Sequence, residues 1–195
     1  LLKNIGIFRS QDEIDNPSTP KHQANPQPGD LRYQDISGPN GVPDNEIDPT
    51  YDRVVVDGAF PKFNYGINLH AAYKGFDLSV FMQGVQGRKV YVREWGIAPF
   101  RQYGPPPVMW RDRWTPDNPD ASLPGLWVEN SYTPNTQAST FWLQDASYLR
   151  LKNLQIGYNF PAHWISKLKL KQLRAYFSGD NLFTITDFYD GGDPE

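Results

Sequence analysis

The 195-residue chain contains no cysteine. That excludes a disulfide framework, thiolate metal ligation and a cysteine nucleophile, although it does not exclude export. No stretch approaches the roughly 18 uninterrupted apolar residues that a membrane-spanning helix needs, and the mean hydropathy is −0.63. Charge of one sign is also lacking. There are 19 basic and 22 acidic residues, net −3, too balanced for a polybasic nucleic-acid or lipid-headgroup surface. Histidine is scarce, and His22, His70 and His163 stand far apart without ligand spacing. The opening Leu1-Leu2-Lys3-Asn4 has no basic region followed by an apolar one, so it is no signal peptide. The closing Gly192-Asp193-Pro194-Glu195 does not resemble a finished strand, and both ends are expected to continue into something longer.

These absences leave a β-barrel wall open, because its strands need only about 9–11 alternating residues. Aromatic residues are plentiful, with 6 Trp, 11 Tyr and 11 Phe. They suit aromatic girdles, sugar-binding surfaces or a β-sandwich core. Residues 1–30 are polar and proline-rich. Ser10 with Glu13 three residues on predicts one helical turn with Ser10 as N-cap, followed by a solvated loop through Pro17, Pro20, Pro26 and Pro28. Residues 30–58 concentrate acids and turn formers.

The clearest strand signal follows. Phe63, Tyr65, Ile67, Leu69, Ala71 and Tyr73 alternate with Asn64, Gly66, Asn68, His70 and Ala72. Lys74-Gly75 predicts a tight turn into a second strand, 76–85, with Phe76, Leu78, Val80 and Met82 on one face. A third strand is expected at 148–160. Its apolar phase slips between Leu149, Leu151 and the later Leu154, Ile156, Tyr158, which a bulge or emergence from the membrane would explain. Residues 161–170 read as a short amphipathic connector with Trp164, and 171–183 as a fourth strand. The segment 86–140 between the hairpin and the third strand is long and irregular. Short and long connections thus alternate, as they do in outer-membrane barrels.

Several segments together resemble one family. They are Pro28-Gly29-Asp30-Leu31-Arg32-Tyr33-Gln34-Asp35, Pro61-Lys62-Phe63-Asn64-Tyr65-Gly66, Tyr73 to Val85 (YKGFDLSVFMQGV), Trp114-Thr115-Pro116-Asp117-Asn118-Pro119, Asp145 to Leu154 (DASYLRLKNL), Ser178-Gly179-Asp180-Asn181-Leu182-Phe183 and Asp193-Pro194-Glu195. In this order, across residues 28–195, they resemble the C-terminal barrel region of the SusC/RagA-type, TonB-linked outer-membrane proteins.

The resemblance implies an all-β fold: antiparallel strands forming the C-terminal part of a transmembrane barrel of about 22 strands, with long extracellular loops. Residues 1–58 would then be an extracellular loop region and 59–195 barrel strands with the outer loop 86–140, short of the barrel's last loop and strand. The Lys74-Gly75 turn and the 161–170 connector would face the periplasm. The location implied is the outer membrane of a Gram-negative-type cell. The function implied is import of large nutrients, oligosaccharides or peptides, with a SusD-like surface lipoprotein. TonB would act through an N-terminal region that this chain lacks.

The family often carries a calcium loop where this chain has Asp35 to Asp44. Asp35, Ser37, Asn40, Val42 and Asp48 are the candidate metal residues here, with Asp52 as an alternative downstream acid. Ser37, Pro39 and Asn40 depart from the pattern, so calcium and a metal-free acidic turn both stand; no other cofactor is expected. Trp110, Trp114 and Trp127 suit either stacking on a ligand or partner, or packing of the long loop. Nothing places two acids as a glycosidase needs, and no enzyme activity is expected. The competing class is a soluble carbohydrate-binding β-sandwich.

Overall fold

The computed structural model describes residues 1–22, 25–92, 99–100, 104–127, 134–189 and 192–195. Parts of the expected long loop, 93–98, 101–103 and 128–133, lie outside the described residues. In chain order the elements are β1 (Asn4–Ile7), α1 (Gln11–Asp15), β2 (Lys21–His22), β3 (Leu31–Tyr33), β4 (Glu46–Ile47), β5 (Phe63–Tyr73), β6 (Phe76–Gln86), β7 (Lys89–Tyr91), β8 (Leu143–Asp145), β9 (Tyr148–Asn159), α2 (Ala162–Ile165) and β10 (Arg174–Thr186). The chain divides into two compact units. One comprises Leu1–Asp57, Val90–Gln144 and Tyr189–Gly192; the other comprises Gly58–Lys89, Asp145–Phe188 and Asp193–Glu195.

The second unit is one four-stranded antiparallel sheet in the order β10-β9-β6-β5. Lys74 and Gly75 both take positive φ, 48° and 91°, the combination that a two-residue type I′ hairpin turn requires. Register then carries the alternation of one strand across all four. Leu69 pairs with Val80 and Val80 with Leu154; Ala71 pairs with Leu78, Leu78 with Ile156 and Ile156 with Phe177; Tyr73 pairs with Phe76 and Phe76 with Tyr158. The same face continues through Phe63, Tyr65 and Ile67 on β5, Met82 on β6, Leu149 and Leu151 on β9, and Phe183 and Ile185 on β10.

The phase slip in the third strand is a bulge. Asn153 pairs with Phe81 and Leu151 with Met82, so Lys152 has no counterpart on β6. A matching irregularity on β10 takes Asn181 and Leu182 out of register, with Asn181 at φ 51°. The bulges restore Leu149, Leu151, Phe183 and Ile185 to the apolar side. The fourth strand starts at Arg174, three residues later than the pattern predicted, and runs on to Thr186. The irregularity at 181–182 hides this continuation from a strict period-two reading. The connector contains α2 and a 3₁₀ turn, Ser166–Leu168, ended by Lys169 in the left-handed region.

The apolar face is uncovered: Phe63 is 68 % exposed, Tyr73 71 %, Phe177 65 % and Ile185 63 %. So large a contiguous apolar surface is not stable against water. From Tyr73 to Phe63 the strand rises on the order of 33 Å, or about 23 Å of bilayer depth at a 45° tilt. That is close to the roughly 25 Å apolar band of an outer-membrane barrel. Tyr73, Phe76 and Tyr158 gather aromatic rings at the short-turn end, and Phe160 and Trp164 continue the contacts from Tyr158.

The first unit buries residues that the reading of 1–30 as polar and proline-rich did not single out. Leu2, Ile7, Leu31, Tyr33, Ile47, Trp110, Leu123 and Trp142 form a buried core. β1 pairs antiparallel with β3, while the two-residue β2 and β4 pair in parallel. Leu2 bridges Arg53 on one side and Ser139 on the other. These apolar residues are spaced without period among prolines, and each finds its partners tens of residues away. Burial, rather than local alternation, holds this segment in place. Ser10 occupies the N-cap position of α1 but makes no side-chain cap bond. Glu13 instead accepts the backbone N–H of Arg9 at 2.8 Å.

Candidate functional site

The polar side of the four-stranded sheet carries the ionisable groups of the wall. Asn64, Asn68 and His70 on β5 and Ser79 and Gln83 on β6 give it neutral hydrogen-bonding groups. His70 is exposed and lies opposite Ser79. At the short-turn end, Arg174 on β10 reaches across β9 to Asp77 on β6, with Nη2 2.5 Å from Oδ1 and Nε 3.2 Å from Oδ2. Asn159 donates to the same carboxylate at 3.3 Å, and the Gln155 amide oxygen accepts from Arg174 at 2.7 Å. Sequence reasoning assigned no role to this pair. Its signal was present, because Asp77 and Arg174 both have the polar parity of their strands.

Toward the opposite end, Arg150 on β9 is flanked by Thr184, whose Oγ1 accepts from Nε at 2.8 Å, and its guanidinium lies 5.3 Å from the Tyr148 ring centre. Asp193 and Glu195 meet its two terminal nitrogens at 2.6 and 2.7 Å. The DASYLRLKNL and Asp-Pro-Glu segments, 43 residues apart at this contact, are therefore spatial neighbours.

In the first unit the three candidate tryptophans make packing contacts. Trp110 is 3 % exposed, and its ring centre is 6.1 Å from that of Trp142, which meets Phe141 edge-on. Trp114 lies 6.5 Å from Trp127 and packs against the backbone of Gly29 and Gly125. The Trp127 Nε1–H donates to Asp30 at 2.6 Å. Asn135 ties these segments together: its Oδ1 accepts from Leu31 N–H at 2.7 Å, its Nδ2 donates to the Gly125 carbonyl at 3.2 Å, and its carbonyl accepts from the Trp142 indole at 2.9 Å. Burial raises the Asp30 carboxyl above its ordinary pKa, opposed by the hydrogen bonds from Gln27, Trp127 and Asn135. Beside this network a cleft of about 300 Å³ is lined by Met109, Leu123, Phe141, Trp142, Gln144 and Tyr189.

The carboxylates among the candidate metal residues accept backbone hydrogen bonds. Asp35 Oδ2 accepts the Asn45 N–H at 2.6 Å, and Asp48 Oδ1 accepts the Thr50 N–H at 2.6 Å. The bonds from Thr50 hold the Asp48 carboxyl below its ordinary pKa. The Val42 carbonyl accepts from Gly38 N–H at 2.7 Å, and Ser37 and Asn40 bring no carboxylate. The acid that organises the segment is Asp52, fully buried. Its Oδ1 accepts from Ile36 and Ser37 at 2.6 and 3.0 Å, and its Oδ2 from Asp48 at 2.8 Å. Asp35 Oδ1 is buried without a donor, a single acceptor where calcium takes six to eight oxygens. Among the described residues, no group of three or more His, Cys, Asp or Glu is placed to hold a metal ion. His22 is stacked 5.3 Å from Tyr33, and burial lowers its pKa to about 4. His163 is exposed on α2.

No family model matches the chain. Two curated proteins of Formosa agariphila are similar to it in sequence. TonB-dependent receptor P3 is 33 % identical over 171 residues, covering 86 % of this chain and 16 % of the relative. TonB-dependent receptor P26 is 29 % identical over 192 residues, covering 96 % and 18 %. The chain thus spans less than a fifth of the length of these relatives. Two solved structures share its fold. One, of the RagAB peptide transporter, has a TM-score of 0.66 at 22 % identity and matches all of this chain and 20 % of its own. The other, of the RagAB peptide importer in an open-open state, has a TM-score of 0.64 at 23 % identity, with 100 % and 19 % coverage. The exposed apolar sheet, the polar wall behind it and these relatives lead to one family: the chain is a segment of an outer-membrane TonB-dependent receptor.

Proposed function

We propose that this segment forms part of the wall, and an outer unit, of a transporter that imports large nutrients, oligosaccharides or peptides, together with a SusD-like surface lipoprotein. The observation that carries the reading is the sheet of the second unit, predominantly apolar across four strands on one side and carrying the hydrogen-bonding and ion-paired groups on the other. Such a sheet matches lipid outside and a hydrated lumen inside. The Lys74-Gly75 turn and the 161–170 connector face the periplasm in this reading. Energy coupling by TonB acts elsewhere in the full-length receptor. The solved relatives described as peptide transporters favour peptides among the two substrate classes. In this reading Asp52 closes the acidic segment with three backbone hydrogen bonds.

The test is a strain lacking the full-length receptor, with or without a gene for a SusD-like surface lipoprotein. Restoring the receptor should restore uptake of peptides or oligosaccharides only when the lipoprotein is present. Uptake of neither class would sink the import role, and uptake indifferent to the lipoprotein would sink the partnership. The β-sandwich alternative requires a second sheet over the apolar face. The other sheets among the described residues have two strands each. The isolated 195 residues should therefore aggregate in water without detergent, whereas a monomeric, folded solution would favour the sandwich.

A further inference from the structure

β10 ends at Thr186, and residues 193–195 contact the sheet again. The departure is fixed on the sheet itself: Thr186 Oγ1–H donates to the Ser147 carbonyl at 2.8 Å, and Phe188 N–H donates to Thr186 Oγ1 at 3.1 Å. The return is different in kind. No described strand pairing includes residues 193–195. They are held by the side chains of three cations: Arg150 on Asp193 and Glu195, Lys152 on Glu195 at 2.5 and 2.7 Å, and Arg88 on the Pro194 carbonyl at 3.0 Å. Glu195 N–H turns back to Asp193 Oδ1 at 2.9 Å and shapes the segment to present both carboxylates on one side.

The two ends of this contact are unequal. The Arg150 side chain is 8 % exposed, whereas Asp193 and Glu195 are 64 % and 43 % exposed. A nearly buried guanidinium needs anionic partners, because leaving it unpaired costs the desolvation of a charge. Its partners sit where water and salt reach them. The bulge explains why two cations meet there: Lys152 is the extra residue of β9, two positions from Arg150, so its ammonium joins Arg150 at the same carboxylate.

We propose that Asp193-Pro194-Glu195 is a releasable ionic strap on the polar face of the sheet, locked by Arg150, Lys152 and Arg88. Charge holds it, so its grip depends on charge while the sheet beneath does not. Release frees residues 193–195 and leaves Arg150 and Lys152 as a bare cationic pair on the polar face. The proposal rests on the geometry of the sheet and is independent of what the receptor imports.

Hydrogen exchange on the full-length receptor in detergent tests it. In dilute buffer, the amides of Asp193 and Glu195 should exchange at least about tenfold faster in the Asp193→Asn/Glu195→Gln double variant than in the unmodified receptor. The unmodified receptor should approach the variant's rate in molar salt, where charges are screened within a few ångströms. Amides of β9 and β10 should be unchanged in both. Protection of Asp193 and Glu195 unchanged in the variant and at high salt would overturn the strap, as would loss of protection that spreads through β9 and β10. Arg150→Met lies in a central strand and risks assembly. Lys152→Met is the milder companion on the bulge, and it should loosen 193–195 without touching the strand ladder; unchanged exchange there would count against the lock.

Discussion

Placing an arginine at successive positions of β5 separates a lipid-facing wall from a soluble one. Leu69 lies in the middle of the strand, on the row shared with Val80 and Leu154, and its side chain is 53 % exposed on the apolar side. If that side faces acyl chains, Leu69→Arg places a charge near the bilayer midplane and costs about 2–4 kcal/mol. Tyr73 is four residues along, at the short-turn end, where the same substitution costs about 0–1 kcal/mol. Asn68 is the adjacent residue on the polar side, where an arginine stays hydrated and the cost should be near zero. Each 1.4 kcal/mol is a factor of about ten in an equilibrium, so Leu69→Arg should lower the folded-to-unfolded ratio by roughly 30-fold or more. The assay is guanidinium unfolding of the full-length receptor in lipid vesicles, read by the gel shift between folded barrel and unfolded chain. The expected order of loss is Leu69→Arg, then Tyr73→Arg, then Asn68→Arg. Equal losses at Leu69 and Asn68, or the reverse order, would refute the assignment of the apolar side to lipid.

Three further outcomes are expected. Asp52→Ala removes the acceptor of three backbone N–H groups and should cost the first unit about 1–3 kcal/mol or more, seen as faster proteolysis between residues 35 and 57; unchanged cleavage would deny the carboxylate its organising role. Burial depresses His22 from 6.5 to about 4, so the fold holds it neutral; its contribution is complete above pH 6.5 and is lost as pH falls toward 4. The melting temperature should fall over that window, and His22→Phe should flatten the fall. Gly157→Ala would set a Cβ 2.5 Å from Arg174 Nη2 and 2.6 Å from Asp77 Oδ2, displacing the ion pair that crosses β9. Stability should drop more in this variant than in the same substitution made in an Asp77→Asn/Arg174→Gln background, as a double-mutant cycle will show.

The strands were readable because a lipid-facing wall writes itself as alternation over eleven residues, as in Phe63 to Tyr73. Even the bulge left a trace, the change of apolar parity between Leu151 and Leu154. The first unit left none. Leu2, Ile7, Leu31, Ile47 and Trp142 make a core without any shared period, since each belongs to a different short stretch. Asp52 shows a second limit. In sequence it was one acid among many and a spare ligand for calcium, and only its burial distinguishes it as the acceptor that closes the turn. Arg150 shows a third: its carboxylate partners lie 43 and 45 residues downstream, beyond any local rule.

The two units are interleaved along the chain: residues 58–89 interrupt one, and residues 90–144 interrupt the other. Each is an insertion within its neighbour. Excising 100–140 as though it were a free loop would remove Trp110, Leu123 and their partners from a core that residues 1–57 also build. Grafting has the same constraint. An outer loop exchanged alone between two receptors would arrive without the complementary stretch on the far side of the hairpin. The first unit should therefore be transplanted, and inherited, as the pair 1–57 and 90–144, with the hairpin 58–89 carried between them as a passenger.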